Sequence, residues 1–459
     1  MWVQLAAGRP VVPHNVCVST PRNAVARTAR LAALPLGYAG RTALGIGKRI
    51  GGAPADTVMT ELQQRTAEQL FRTLGELKGG AMKVGQAMSI FEAALPDDVA
   101  APYREHLTRL QDAAPPMPTI TVREILAREL GPDWASHLTD LDPVPAAAAS
   151  IGQVHRARWD GRDVAVKVQY PGAADALRSD LRQLARVARG VGPAFPGIDI
   201  KPLVEELAAR VEEELDYHLE AEAQQSFAIE YADDPDIVVP GVVTATRAVL
   251  VTTWLDSPAS LAEVIRTGTK AERNHYGEAL VRFLFGCPAR TGMLHADPHP
   301  GNFRVVPRPD GTPGRLGVLD YGAVARLPER SLPRSIGALI RIAALDDYDQ
   351  LVTGLREEGF IKQSVSIDAD RLRSYLSPFI EPARVESFTF SRAWMQEQFR
   401  RVNDPRGDAY PVMLRLNLPP EYLMIYRTWV GGIGVLSQLG ATVPFRHILE
   451  ESLPGFAGS

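Results

Sequence analysis

His295-Ala296-Asp297-Pro298-His299-Pro300-Gly301-Asn302, followed by Leu319-Asp320-Tyr321-Gly322, is the stretch on which the reading of the fold turns. It holds a carboxylate, an amide oxygen and a second carboxylate within 25 residues or so. Magnesium takes hard oxygen ligands in octahedral geometry, usually one or two carboxylates completed by phosphate oxygens and water. Asn302 and Asp320 are the right types for such ligands, and Asp297 stands where a carboxylate can orient or deprotonate an acceptor. Between them, 302–306 is apolar-rich, 307–314 is dense in Pro, Gly and Asp, and 315–319 is apolar-rich again. That pattern predicts a hairpin returning Asp320 to the side of Asn302, as two shared metal ligands require.

Working back along the chain, Val164-Ala165-Val166-Lys167 reads as a strand after the turn Asp160-Gly161, with 150–159 as its hairpin partner. Alternation places Ala165 and Lys167 on one face, so the ammonium can project from beside a small residue. Before the hairpin stands Ala146-Ala147-Ala148-Ala149-Ser150-Ile151-Gly152-Gln153, a candidate phosphate loop. Its backbone N–H groups can cradle an anion, although Cβ atoms restrict the approach. Four alanines alone also suit a helix, but Pro143 and Pro145 before them and β-rich sequence after them argue otherwise. Asp297 and Asn302 have the spacing of the catalytic-loop pair in protein kinases, Asp320-Tyr321-Gly322 resembles their metal-binding triplet, and Lys167 resembles their phosphate-holding lysine.

The 459 residues can bury a large core, and the apolar and charged fractions, 45% and 23%, are ordinary for a globular chain. A net charge of −4 gives no support for a nucleic-acid partner. Cys17 and Cys287 suggest neither a disulfide framework nor a zinc site. No apolar run reaches the roughly 18 residues a membrane helix needs; the best candidate, 422–441, is interrupted by Arg427 and several glycines. Residues 1–55 carry seven Arg or Lys and no Asp or Glu, a basic arm that suits a targeting peptide, an anionic membrane surface or a disordered leader. With 43 Arg against 7 Lys and abundant Ala, Gly and Pro, the composition fits a GC-rich bacterial genome, and each lysine is the more informative for being rare.

Helical periodicity is expected over 57–95, 119–130, 174–190 and 202–231, and strands over 237–243 and 248–255, with helices dominating from 261 onward. Four segments follow: a basic arm (1–55), a helical extension (56–118), a β-containing lobe with inserted helices (119–256) and a helical lobe (257–459). The fold class expected is α+β, bilobal and protein-kinase-like, with a helical N-terminal extension.

Five motifs in this order resemble the UbiB/AarF (ADCK-type) atypical kinase-like family over roughly residues 57–445. They are Lys83-Val84-Gly85-Gln86, the Ala-rich loop 146–150, Lys167, Glu214-Leu215-Asp216 and the 295–322 stretch. The resemblance implies that Glu220 is the ion-pair partner of Lys167 and that Asn302 and Asp320 hold Mg²⁺. It further implies that Lys83 and Gln86 lie over the acceptor side, held by Glu214 and Asp216. ATP and Mg²⁺ are the implied cofactors. Implied partners are ATP, a lipid or quinone-precursor ligand and peripheral membrane contact, with no nucleic acid. A cytoplasmic location, peripheral on the inner membrane face, is expected, a mitochondrial one being the alternative. The implied function is an ATPase or phosphotransferase supporting isoprenoid-quinone or other prenyl-lipid metabolism. A small-molecule phosphotransferase and a nucleotide-gated lipid-binding or chaperone-like module remain open.

Overall fold

The computed structural model describes residues 116–149, 151–175, 177–179, 182, 199–404 and 406–457. The expected extension with Lys83 and Gln86, the loop residue Ser150 and most of the helix expected over 174–190 lie outside them.

A curled antiparallel sheet forms the first lobe. Its strands run in the order Leu138–Thr139, Gly152–Trp159, Arg162–Gln169, Val249–Thr253, Val242–Ala245, and Ala147–Ala149 pairs additionally with Gly152–Trp159. The central hairpin closes at Asp160-Gly161, with φ of 46° and 80°, the double positive φ that matches the twist of two-residue hairpins. On the Arg162–Gln169 strand, Val164, Val166 and Val168 are fully buried against Val249, Val251 and the Thr119–Leu130 helix, which contributes Val122, Ile125 and Leu126. Each such side chain contributes about 1.5–3 kcal/mol. A one-residue slip would expose all three valines, so the register is fixed and Lys167 is held on the opposite face.

The alanine run is strand, not helix. Ala149 pairs with Gly152, so two residues connect the strands. Gly152 is required there: a Cβ on it would stand 2.2 Å from the Val168 carbonyl oxygen. Gly152→Ala should therefore lower the stability of the chain by about 1–3 kcal/mol through forced backbone displacement. Chemical denaturation checks this, and an unchanged midpoint would contradict the packing described.

Two expected elements are corrected. The helix expected over 202–231 is two helices, Ile200–Glu214 and Tyr217–Glu230. Asp216 adopts an extended conformation between them (φ −121°, ψ 102°) and accepts a hydrogen bond from the His218 N–H, capping the second helix. The strand expected over 237–243 is also two. Val242–Ala245 stays in the first sheet, whereas Ile237–Val238 pairs in parallel with Arg315–Val318 in the second lobe. Pro240, which has no N–H to give a ladder, lies at the division.

In the second lobe the long helix Lys270–Thr291 opens with a capping box between Thr269 and Glu272 and ends at left-handed Gly292. Its Leu280, Phe283 and Leu284 are buried in the largest core cluster, together with Ile433, Val435 and Leu436 of the Leu423–Leu439 helix. Against this core lie a four-stranded sheet (Ile237–Val238, Arg315–Val318, Phe303–Val306, Ala259–Ser260) and the pair Met293–His295 with Val324–Arg326. The hairpin expected between Asn302 and Asp320 is therefore present. Among the described residues no helix is long and apolar enough to cross a membrane. The fold is a kinase-like, bilobal α+β arrangement.

Candidate active site

Three of the residues named from sequence meet in one place. Lys167 Nζ lies 2.7 Å and 2.9 Å from the two carboxylate oxygens of Glu220 and 3.4 Å from Asp320 Oδ1. The Lys167 and Glu220 side chains are only 15% and 4% exposed, so breaking this pair from one side would strand a buried charge. Burial works against the Lys167 charge, but Asp320 and Glu220 outweigh it and hold the ammonium well above the ordinary lysine value. The desolvation falls on Glu220, whose carboxyl burial pushes up against the pull of Lys167. Glu220 sits in the first turn of the helix capped by Asp216, where unsatisfied N–H groups favour a carboxylate. The Tyr217 ring, from the same turn, lies 5.0 Å from the ammonium.

The second group assembles from the loop before the Phe303–Val306 strand. Asn302 Nδ2 donates to Asp297 Oδ2 at 3.0 Å and to the Asp297 carbonyl at 3.2 Å. Its donor atom is thus committed to Asp297, and the oxygen of the same amide, the atom a hard cation takes, is on its other branch. The Leu319 N–H donates to the Asn302 carbonyl at 2.8 Å, and Phe303 pairs with Val318. Asp320 follows directly, in a left-handed conformation (φ 60°) that is strained for a residue with a Cβ. Its carbonyl is 3.1 Å from His295 Nε2, and its Oδ1 accepts from the Gly322 N–H at 3.3 Å. Burial lowers the His295 pKa, and a carbonyl partner at Nε2 calls for a donor there. Tyr321 is buried and packs on His295 and on Phe227, with ring centroids 5.3 Å and 4.9 Å away. Phe227 is on the Glu220 helix, so this ring contact packs that helix against the residue next to Asp320. His299 caps the turn Pro300–Asn302 by accepting from the Gly301 N–H, and burial lowers its pKa.

The donor set suits magnesium with a triphosphate. Among the described residues no three His, Cys, Asp or Glu side chains form a metal cage, so a cation held by Asn302 and Asp320 would draw further ligands from elsewhere. Phosphate oxygens and water are what Mg²⁺ takes in such sites.

Other candidates from the sequence make contacts of a different kind. Gln153 is fully buried and places its amide on the Met117 N–H (2.7 Å), the Met117 carbonyl (3.2 Å) and His155 (2.7 Å). Ile151 is buried beside Leu177, Val211, Leu215 and Tyr217. Their side chains build the lobe, leaving backbone as what the loop can offer a phosphate. Glu214, also buried, raises the Glu220 pKa by its charge, while Asp216 serves as helix cap. A depression of about 380 Å³ lined by Tyr231, Arg282 and Arg290, among others, shares no residue with the cleft.

Sequence reasoning missed one member. Arg427 donates to Asp297 Oδ1 at 2.8 Å. It is the one charged residue of the mostly apolar Leu423–Leu439 helix, where a carboxylate partner is favoured. The sequence carries that signal, since Arg427 interrupts the apolar run 422–441.

The profile of the ABC1 atypical kinase-like domain matches residues 109–353. The chloroplastic protein Activity of bc1 complex kinase 3 of Arabidopsis thaliana is 30% identical over 86% of this chain and 53% of its own length. The mitochondrial atypical kinase COQ8 of Schizosaccharomyces pombe is 27% identical over 89% of this chain and 66% of its own. The chain thus spans about half to two thirds of the length of these curated relatives. Among solved structures, that of Rv3197 from Mycobacterium tuberculosis with erythromycin is 41% identical, with a TM-score of 0.65 over 88% of this chain and all of that one. The chain belongs to the ABC1 atypical kinase-like family.

Proposed function

We propose that the protein is an ATP- and Mg²⁺-dependent ATPase or phosphotransferase of the atypical kinase type, serving isoprenoid-quinone or other prenyl-lipid metabolism. The observation that carries this reading is the meeting of Lys167 with Glu220 and Asp320, residues 53 and 153 positions away in the chain. On this reading Lys167, aimed by Glu220, binds nucleotide phosphates, and Asn302 and Asp320 hold the metal. Bound Mg²⁺ supplies neutralisation of charge on the transferring phosphoryl group. Asp297 orients or deprotonates the acceptor. The backbone of Ala146–Gly152 covers the phosphates, and Lys83 and Gln86, with Glu214 and Asp216, close the acceptor side. Phosphoryl transfer asks mainly for positioning and charge stabilisation, and these residues provide both.

Peripheral association with the inner face of a membrane goes with the lipid role. It is tested by ATP turnover of the purified chain with and without anionic liposomes, following phosphate release and lipid products. We expect slow basal hydrolysis that anionic vesicles raise at least severalfold. Turnover indifferent to vesicles would contradict the lipid role while leaving the nucleotide chemistry standing. A second reading, a nucleotide-gated module that binds a bulky lipophile, is favoured by the erythromycin complex of the Mycobacterium tuberculosis relative. Nucleotide-dependent binding of a lipophile that persists when hydrolysis is abolished would select it.

A further inference from the structure

On the reading that Asn302 and Asp320 hold the metal, we propose that Arg427 is a positioning residue. It compensates and aims the Asp297 carboxylate, and through Asp297 it fixes the Asn302 amide.

The geometry is that of a relay. One carboxylate oxygen of Asp297 accepts from Arg427 at 2.8 Å and the other from Asn302 at 3.0 Å. With both oxygens engaged, the carboxylate plane cannot rotate without breaking one bond. The Asn302 amide in turn cannot flip without setting its oxygen against a carboxylate. The Asp297 side chain is only 4% exposed, so loss of Arg427 would leave a largely buried carboxylate short of a partner. The helix that carries Arg427 makes a second contact on the same loop: Thr428 Oγ1 lies 3.4 Å from the His295 carbonyl while also bonding the Met424 carbonyl at 2.9 Å. Both contacts come from adjacent residues of one helix and fall on either side of Ala296.

Charge gives the second reason. The cleft gathers three carboxylates, Glu220, Asp297 and Asp320, against one ammonium, Lys167. Without Arg427 the buried Asp297 carboxylate would keep, among the described residues, only the Asn302 amide as a side-chain partner. Buried carboxylates are retained when paired and hydrogen-bonded, and ligand-orienting partners of a metal site matter nearly as much as the ligands.

Arg427→Met keeps the stem and removes the charge. We expect kcat for ATP turnover to fall at least about tenfold, and the Mg²⁺ concentration that half-saturates binding of a fluorescent ATP analogue to rise at least about threefold. Analogue binding without Mg²⁺ should stay within about twofold of wild type, because Lys167 is untouched. The contact is a single N–H, so Arg427→Lys should restore kcat to within about threefold. In the Asp297→Asn background, Arg427→Met should cost nothing more, because its effect passes through Asp297. If Arg427→Met does not fold, Arg427→Gln carries the same measurements. An unchanged Mg²⁺ requirement, or an additive loss in the double variant, would overturn the proposal. Asp320→Asn measured alongside separates the failures. If that variant abolishes turnover and Arg427→Met does not, Arg427 alone loses its role; if neither matters, the nucleotide site itself is wrong.

Discussion

Asp320→Asn should reduce Mg²⁺-dependent ATP turnover at least about 100-fold, equivalent to ~2.7 kcal/mol of transition-state stabilisation. The substitution keeps size and removes the charge that Lys167 meets at Oδ1 and that a bound metal would need. It should leave the fold intact, because what the fold takes from residue 320 is mainly backbone: the carbonyl that meets His295 and the left-handed turn that Asn tolerates as well as Asp. Binding of nucleotide without metal should therefore survive while the Mg²⁺-dependent increment disappears. Steady-state turnover and nucleotide titrations with and without Mg²⁺ measure both. Full activity in a folded Asp320→Asn protein would contradict the assignment.

Lys167→Met should be equally severe for turnover, again at least about 100-fold, and it should also destabilise the protein. Removing the cation leaves Glu220 and Asp320 facing each other, with Glu220 almost wholly buried. Breaking a buried pair from one side costs about 3–5 kcal/mol. The double variant Lys167→Met/Glu220→Leu removes the stranded charge, and apolar replacement of such a pair is often neutral or stabilising. We therefore expect denaturation midpoints to recover toward wild type in the double variant while turnover stays lost. Recovery of both would mean that the pair serves stability alone.

How much of this was legible in the sequence differs residue by residue. The hairpin turn at Asp160-Gly161 was readable because the two positive φ values it needs restrict the residue types severely. Once that turn is placed, alternation alone sets Lys167 opposite the buried valines. The hairpin after Asn302 was readable for a similar reason, its turn being dense in Pro, Gly and Asp. The break at Asp216 was not read, because an N-cap aspartate inside the acidic helical run 212–222 has the same composition as a continuous helix. What distinguishes it is the His218 N–H bond, a conformational fact. Pro240, which lacks a ladder donor, does carry a usable sign that 237–243 is not one strand. Gln153 illustrates a different limit: its loop position suggested phosphate, but its partner Met117 lies 36 residues earlier and no local pattern announces that bond. Arg427 meets Asp297 across 130 residues, and only the fold brings them together.

The central claim is that Lys167, Glu220, Asn302 and Asp320 form one magnesium-nucleotide site. It is tested most directly by a crystal structure of the protein with Mg²⁺ and a non-hydrolysable ATP analogue. We predict a Mg²⁺ ion ~2.0–2.1 Å from oxygens of both Asp320 and Asn302, with Lys167 on a phosphate. A nucleotide bound elsewhere, or a metal ligated by neither residue, would contradict it.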